Sequence, residues 1–206
     1  MIWLWTRGVR VYGAASPVRG TVMMNFTSKI VRAAGIAAGV VGVSMLGLGG
    51  VASASTAAPA LVGPQTCSIQ SFDGHYLTAV GGGGRTTDVI HTNATRVGAW
   101  EKFTLIDSGD GASNIHYGLR TSGGYYLTAQ DSGGRTTDVI HSNATRLQAW
   151  EKFTFNSLGG GWYDIQVNDG HYLTAVNSGG LSTGDTLHTN ATRVGTWEEF
   201  RVTCGL

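Results

Sequence analysis

Residues 85–104 read RTTDVIHTNATRVGAWEKFT, and residues 135–154 read RTTDVIHSNATRLQAWEKFT. The two stretches are identical at 17 of 20 positions, and residues 181–200 give a third version, LSTGDTLHTNATRVGTWEEF. The tryptophans of the three versions lie 50 and then 47 residues apart. Similarity at this level indicates three copies of one structural unit, and such internal repeats decide the fold of a chain.

The repeated unit has the character of β-strands. Each copy begins with Tyr-Leu-Thr-Ala, and its short runs of β-branched and aromatic residues are separated by Gly, Asp, Asn and Ser. No stretch after Gly63 shows the amphipathic period of a helix. About four strands in each copy predict an all-β fold of about twelve short strands. Because one copy is too small to bury a core alone, we predict a β-trefoil with pseudo-threefold symmetry; a propeller needs at least four blades.

The alternation of strands also predicts the core. Side chains two residues apart share one face of a strand, which selects nine large apolar residues for burial. They are Ile69, Leu77, Phe103, Leu119, Leu127, Phe153, Ile165, Leu173 and Phe200. We expect Trp100, Trp150 and Trp197 to lie in the core as well, with a role as exposed aromatic platforms as the alternative.

The amino-terminal part differs from the repeats. Residues 1–66 carry five basic side chains and no acidic one, whereas residues 67–206 carry nine basic and thirteen acidic ones, a net charge of −4. Lys29 and Arg32 precede an apolar run that ends in Ala-Ser-Ala at residue 54, which predicts a secretory signal peptide. The alternative is a membrane anchor, since about 20 apolar residues can span a bilayer.

The chain therefore divides into three predicted parts. Residues 1–54 form a leader, with translation starting at Met23 or Met24, and residues 55–66 form a linker. Residues 67–206 form the trefoil, with repeats at about 67–113, 114–160 and 161–206. The mildly acidic trefoil lacks the clustered basic residues that bind nucleic acid. We expect a secreted monomer with no membrane span after cleavage.

Two cysteines bracket the repeats. Cys67 and Cys204 are the only cysteines of the chain, and in an exported protein they are expected to form one disulfide. Two free thiols are the alternative. A metal site is a poor alternative because two cysteines without close spacing do not form one.

The repeats resemble a known family. Tyr-Leu-Thr-Ala, the glycine-rich turn and Arg-Val-Gly-Ala-Trp-Glu-Lys-Phe are similar to the fascin-like β-trefoil repeat, most of all to its bacterial secreted versions. Those versions accompany glycoside hydrolases or stand alone as carbohydrate-binding modules, so the resemblance implies binding of a polysaccharide or glycan. The Gln-x-Trp signature of ricin-type trefoils does not recur in the three copies, because Trp150 follows Gln-Ala whereas Trp100 follows Gly-Ala and Trp197 follows Gly-Thr.

The polar stretch before each tryptophan is the candidate ligand site. Asn, Asp and Arg offer the planar, bidentate hydrogen-bonding groups that recognise sugar hydroxyls, and an aromatic ring packs on the apolar face of a sugar. Tyr76, Tyr126 and Tyr172, or His75, Tyr125 and His171, could supply that ring. The predicted ligand-binding residues are Asp88, His91, Asn93, Arg96, Asp138, His141, Asn143, Arg146, Asp185, His188, Asn190 and Arg193.

A structural role is the competing interpretation of these residues. Asn, Asp and Thr in turns often bond their own backbone, and Arg96 could pair with Glu101 or Asp88. We expect no catalytic residues, because every candidate group occurs in triplicate, whereas catalysis requires unlike groups in one arrangement. Convergence of the three histidines on a metal ion is disfavoured, and no cofactor is expected. The alternative function is an extracellular protein-interaction module: an adhesin, an inhibitor or an actin-binding protein.

Overall fold

The computed structural model describes residues 61, 63–110 and 115–206. The predicted leader lies outside the described residues, as does most of the predicted linker. Among the described residues, no helix is long and apolar enough to cross a membrane.

The described residues form twelve strands, as predicted. They are β1 Gln65–Gln70, β2 Tyr76–Ala79, β3 Ile90–Ala94, β4 Phe103–Asp107, β5 His116–Arg120, β6 Tyr126–Ala129, β7 Ile140–Ala144, β8 Lys152–Gly159, β9 Trp162–Gln166, β10 Tyr172–Ala175, β11 Leu187–Ala191 and β12 Glu199–Cys204. Four single turns of 3₁₀ helix lie at Val80–Gly82, Gln130–Ser132, Ala149–Glu151 and Val176–Ser178.

Six strands close into an antiparallel barrel, and the other six form three hairpins. The barrel runs in the order β1-β4-β5-β8-β9-β12 and returns to β1. The hairpins are β2 with β3, β6 with β7, and β10 with β11. One hairpin and two barrel strands come from each repeat, so the molecule is a β-trefoil. The predicted fold class is confirmed.

The core is built from the same positions in each repeat. All nine residues predicted for the core are at most 2% exposed, and Leu105, Val139 and Leu187 join them. Each large apolar side chain contributes about 1.5–3 kcal/mol when it is fully buried. Cys67 and Cys204, directly opposite each other on β1 and β12, form a disulfide.

The repeats are also joined by backbone hydrogen bonds that run around the molecule. The Gly84 amide donates to the Ser142 carbonyl over 2.6 Å, and the Ser142 amide donates to the Arg85 carbonyl over 2.8 Å. The same two bonds join Gly134 and Arg135 to Thr189, and join Gly180 and Leu181 to Thr92. The glycine-rich turn of each repeat therefore lies beside the hairpin of the next.

Candidate functional site

In two repeats the predicted aspartate and histidine are hydrogen-bonded to each other. His91 Nε2 lies 2.7 Å from Asp88 Oδ1, and His141 Nε2 lies 2.7 Å from Asp138 Oδ1. The hydrogen bond from His91 lowers the pKa of the Asp88 carboxyl, so at neutral pH this carboxylate accepts and the imidazole donates. Nδ1 of a neutral His91 is then left as a hydrogen-bond acceptor.

A different arginine from the predicted one accompanies each pair. Arg85 Nη2 donates to Asp88 Oδ2 over 3.3 Å, and Arg135 Nη2 lies 3.7 Å from Asp138 Oδ2. The predicted alternative pairing of Arg96 with Asp88 or Glu101 is wrong. Arg96 follows the end of β3, whereas Asp88 precedes its start, so the strand separates them. Arg96, Arg146 and Arg193 are exposed, and none of them forms an ion pair or side-chain hydrogen bond within the described part of the chain.

The third repeat departs from the other two. It holds Leu181 where they hold Arg85 and Arg135, and it has one additional residue before its histidine, with Gly184 at φ +75°. Asp185 Oδ1 accepts a hydrogen bond of 3.1 Å from the backbone amide of Asp138 instead of one from His188. The structure therefore assembles the predicted aspartate–histidine pair in two lobes of the trefoil and not in the third.

The three aspartates line one depression at the surface. Asp88, Asp138 and Asp185 line a surface depression of about 350 Å³, with buried Val89, Val139 and Leu187 below them. Because all three repeats contribute to this depression, it lies on the pseudo-threefold axis. No group of three or more His, Cys, Asp or Glu side chains in residues 61, 63–110 and 115–206 is placed to hold a metal ion.

The three repeated tryptophans lie on the surface, so the prediction that they belong to the core is wrong. Trp100, Trp150 and Trp197 are 48%, 40% and 43% exposed. None of them belongs to a strand: β4 begins at Phe103, after a turn that contains Trp100, and Trp150 lies in a 3₁₀ turn. The alternative interpretation of these side chains as exposed platforms agrees with their position.

A buried glutamate holds each tryptophan segment against its hairpin. Glu101 Oε1 accepts a 2.8 Å hydrogen bond from the hydroxyl of Thr78, and Oε2 accepts one of 2.7 Å from the Gly98 amide. The Trp100 carbonyl accepts a third hydrogen bond, of 2.9 Å, from the Ala79 amide. Glu151 and Glu198 bond Thr128 and Thr174 in the same way. These residues were not predicted, although the glutamate follows the tryptophan in every copy.

The glutamate brings the tryptophan segment to the hairpin face that carries the histidine. Thr78 and His91 are directly opposite each other on β2 and β3, so their side chains lie on the same face. Asn93, two residues further along β3, is exposed, and the register of the hairpin shifts between the Thr78–His91 pair and the Tyr76–Ala94 pair. Each lobe therefore carries a histidine and an exposed asparagine on its hairpin, and a tryptophan segment that a buried Thr–Glu hydrogen bond joins to that hairpin.

The other aromatic residues that were considered for contact with a sugar ring are either hydrogen-bonded to an aspartate or half-buried. His75 Nδ1 lies 2.7 Å from Asp73 Oδ2, and His171 Nδ1 lies 2.7 Å from Asp169 Oδ2. Burial would raise the pKa of Asp73, but hydrogen bonds from the His75 amide, the Ser71 hydroxyl and the His75 ring together lower it. These turns pack against the glycine-rich turn of the neighbouring repeat. Tyr76, Tyr126 and Tyr172 are half-buried.

Comparison with known proteins supports the fold more than the function. No protein-family model matches the chain, and no curated protein is similar to it at a significant level. The designed threefold-symmetric protein ThreeFoil has a similar structure, with a TM-score of 0.55 and 17% identity, over 67% of this chain and 97% of ThreeFoil. The Rhizoctonia solani agglutinin has a TM-score of 0.56 and 15% identity, over 71% and 99%.

An enzyme is also among the similar structures. The exo-β-1,3-galactanase 1,3Gal43A from Clostridium thermocellum has a TM-score of 0.56 and 14% identity, but only 30% of its chain is covered, by 69% of this one. Identities this low establish the β-trefoil fold alone. The narrower resemblance to the fascin-like repeat stays a prediction.

Proposed function

We propose that this protein is a secreted, non-catalytic carbohydrate-binding β-trefoil with up to three weak sites, one on each lobe. The observation that carries the proposal is the exposure of Trp100, Trp150 and Trp197 at equivalent places, each held by a buried glutamate against the hairpin that carries a histidine and an exposed asparagine. The three tryptophans are not part of the hydrophobic core cluster. They are suited to contact a ligand that presents the same feature repeatedly, as a polysaccharide does.

The chemistry of each lobe fits a sugar. An indole ring packs against the apolar face of a pyranose, while Asn93 offers both a donor and an acceptor to its hydroxyl groups. His91, held through Nε2 by Asp88, offers Nδ1, which is an acceptor when the imidazole is neutral. Asp88 and Asp138 therefore act by orienting a histidine. Arg85 in turn bonds Asp88, whereas Arg135 lies 3.7 Å from Asp138 and bonds Asp131.

The lobes are not expected to bind equally. His188 lacks the aspartate partner that His91 and His141 have among the described residues, so its ring orientation is less restricted. We expect the first two lobes to bind more tightly than the third. Linked weak sites add avidity, so binding of a polymer should exceed binding of the matching monosaccharide by 10²-fold or more.

Secretion is part of the proposal. The predicted signal peptide, with its basic residues, apolar run and Ala-Ser-Ala site, supports export. The disulfide between Cys67 and Cys204 is compatible with an oxidising compartment, where such bonds persist. Recurrence of the candidate polar groups on three lobes supports repeated binding more than catalysis, which needs unlike groups in one place.

The test is retention of residues 55–206 on a panel of soluble and insoluble polysaccharides. Trp100→Ala, Trp150→Ala and Trp197→Ala, singly and together, should reduce retention stepwise, and Asn93→Ala, Asn143→Ala and Asn190→Ala should do the same. Ile115→Ala is the matched control, because Ile115 is 45% exposed and lies outside the hairpins. Retention of the wild type on no glycan would overturn the proposal in favour of a protein partner, and equal retention of the triple tryptophan variant would overturn the placement of the sites on the lobes.

A further inference from the structure

One row of side chains on the outer face of the barrel differs from its two counterparts. Trp162 on β9 is directly opposite Arg201 on β12, which is directly opposite Gln70 on β1. Residues opposite each other on antiparallel strands project to the same side, and none of these three is buried. The corresponding rows in the other repeats hold Thr66, Thr104 and Arg120, and His116, Thr154 and Gln166.

A second aromatic ring extends this row. Phe72, which follows β1, is 46% exposed, and its ring centre lies 5.7 Å from that of Trp162 with the planes tilted by 45°. The corresponding residues of the other repeats are the polar Ser122 and Asn168. Two adjacent aromatic rings at the surface, present only where the first and third repeats meet, are unlike the scattered single apolar side chains of an ordinary surface.

One cationic and one anionic side chain lie near the two rings. Arg201 is exposed, and Glu199 lies two residues earlier on the same face of β12. Within the described part of the chain, neither side chain forms an ion pair or side-chain hydrogen bond. Gln70 donates from Nε2 to the Gly74 carbonyl over 2.6 Å, which leaves its side-chain oxygen as an acceptor. Asp73 and Asp164, the nearby carboxylates, are bonded to His75 and Asn156.

We propose that Phe72, Trp162, Arg201 and Glu199 form a single-copy binding site for the pyranose rings of an uncharged polysaccharide. The aromatic pair offers a platform for the apolar face of a sugar ring. The guanidinium group of Arg201 donates to hydroxyl oxygens, and the Glu199 carboxylate accepts from hydroxyl groups. One positive and one negative group together favour a neutral ligand, because an acidic sugar that bonded Arg201 would be repelled by Glu199.

This site is separate from the three lobes. It occurs once, on the barrel, whereas the lobe sites recur on the hairpins, so it would bind whether or not the lobes do. The two can be tested independently, because they share no residue.

The other repeats supply matched substitutions for the test. Phe72→Ser, Trp162→Thr and Arg201→Thr place at each position a residue type that another repeat already holds there. Ser122→Ala and Thr66→Ala, at the corresponding positions, are the controls. Retention of each purified variant is measured on three neutral polymers, insoluble cellulose, chitin and β-1,3-glucan, and on polygalacturonate at low and high salt, in the wild-type chain and in the triple Trp100→Ala, Trp150→Ala, Trp197→Ala chain. Thermal unfolding of every variant verifies that it is folded.

We expect retention on at least one neutral polysaccharide to persist in the triple tryptophan variant and to fall about tenfold with Trp162→Thr. Arg201→Thr should weaken it also, and both controls should leave it unchanged. Equal retention with and without Trp162→Thr on all three polymers overturns this inference and leaves the lobe sites untouched. Salt-sensitive retention on polygalacturonate alone, abolished by Arg201→Thr, overturns the neutral ligand class.

Discussion

The hydroxyl of Thr128 donates a 2.8 Å hydrogen bond to Oε1 of Glu151, and both side chains are buried. Oε2 of the same carboxylate accepts a 2.9 Å hydrogen bond from the backbone amide of Gln148. A buried carboxylate is tolerated when its oxygens are hydrogen-bonded, and here both of them are. The bonds tie the segment that carries Trp150 to the hairpin of the second lobe.

Removing this carboxylate should destabilise the domain. Glu151→Ala is expected to lower the free energy of unfolding by about 2–4 kcal/mol, because two bonds to a charged group are lost and Thr128 is left without its partner. Glu199→Ala, at a half-buried position without such bonds among the described residues, should change it by about 0.5 kcal/mol or less. Urea unfolding measures both, and equal effects would contradict the anchoring role.

Close contact between repeats should make one glycine irreplaceable. Gly133 has φ +136°, and a Cβ there would lie 2.5 Å from Asp169 Oδ1 and from Val167 Cγ2. Gly170, with φ +88°, has no neighbouring atom within 4 Å of such a Cβ. Gly133→Ala should cost about 2–5 kcal/mol, from backbone strain and overpacking together, and Gly170→Ala about 1–2 kcal/mol from strain alone. Similar unfolding midpoints for the two variants would contradict the close approach.

Loss of the disulfide should weaken the domain more than most single core substitutions. Cys67 and Cys204 are 137 residues apart in sequence, and cross-linking a loop of that length is worth about 4–5 kcal/mol in the chain-entropy description. The double variant Cys67→Ala, Cys204→Ala should therefore unfold at a clearly lower denaturant concentration than the oxidised wild type. Reduction of the wild type should shift its midpoint in the same direction, and an unchanged midpoint would mean that the bond is not formed.

The contribution of Asp164 to the stability of the domain should become less favourable as the pH rises. Asp164 is 5% exposed, and burial raises the pKa of its carboxyl, although a hydrogen bond from Asn156 partly opposes this. A carboxyl whose pKa is higher in the folded than in the unfolded state destabilises the fold once the pH rises above the unfolded-state pKa, which is about 3.8. Asp164→Asn should therefore stabilise the domain at pH 7 relative to the wild type.

That stabilisation should shrink as the pH falls below 3.8, where Asp164 becomes protonated in the unfolded state as well as in the folded one. Urea unfolding of the two proteins at several pH values measures this difference, and carboxyls shared by both proteins cancel. A stabilisation that grows toward acid pH would contradict the raised pKa.

The fold was predictable because the internal repeats and the alternation of apolar residues along the strands indicate the same core positions. Phe103, Leu77 and Ile69 recur at fixed positions in three copies, and each is buried. The exposure of Trp100 was missed because the repeated tryptophans were expected in the core rather than on exposed platforms. Strand alternation does not reach Trp100, because β4 begins at Phe103, after the turn that contains this tryptophan.

The candidate site was only partly predictable. The pairing of Asp88 with His91 depends on the turn before β3, in which Asp88 has φ +51°, and Arg85 was overlooked because it precedes the aspartate in that turn. The divergence of the third lobe depends on one additional residue before His188, which rotates Asp185 toward Asp138. The row of Trp162 and Arg201 joins strands far apart in sequence, so only the register of the barrel reveals it.

The pairing of β1 with β12 has a consequence for the architecture as a whole. Because Gln65–Gln70 and Glu199–Cys204 lie side by side, the first and third repeats meet as closely as the consecutive ones do. The three repeats therefore form a closed ring, and the chain ends could be placed at another turn of that ring. Joining its two ends and cutting the turn between β8 and β9 at Gly160–Gly161 would give a circular permutant with the same strand pairing.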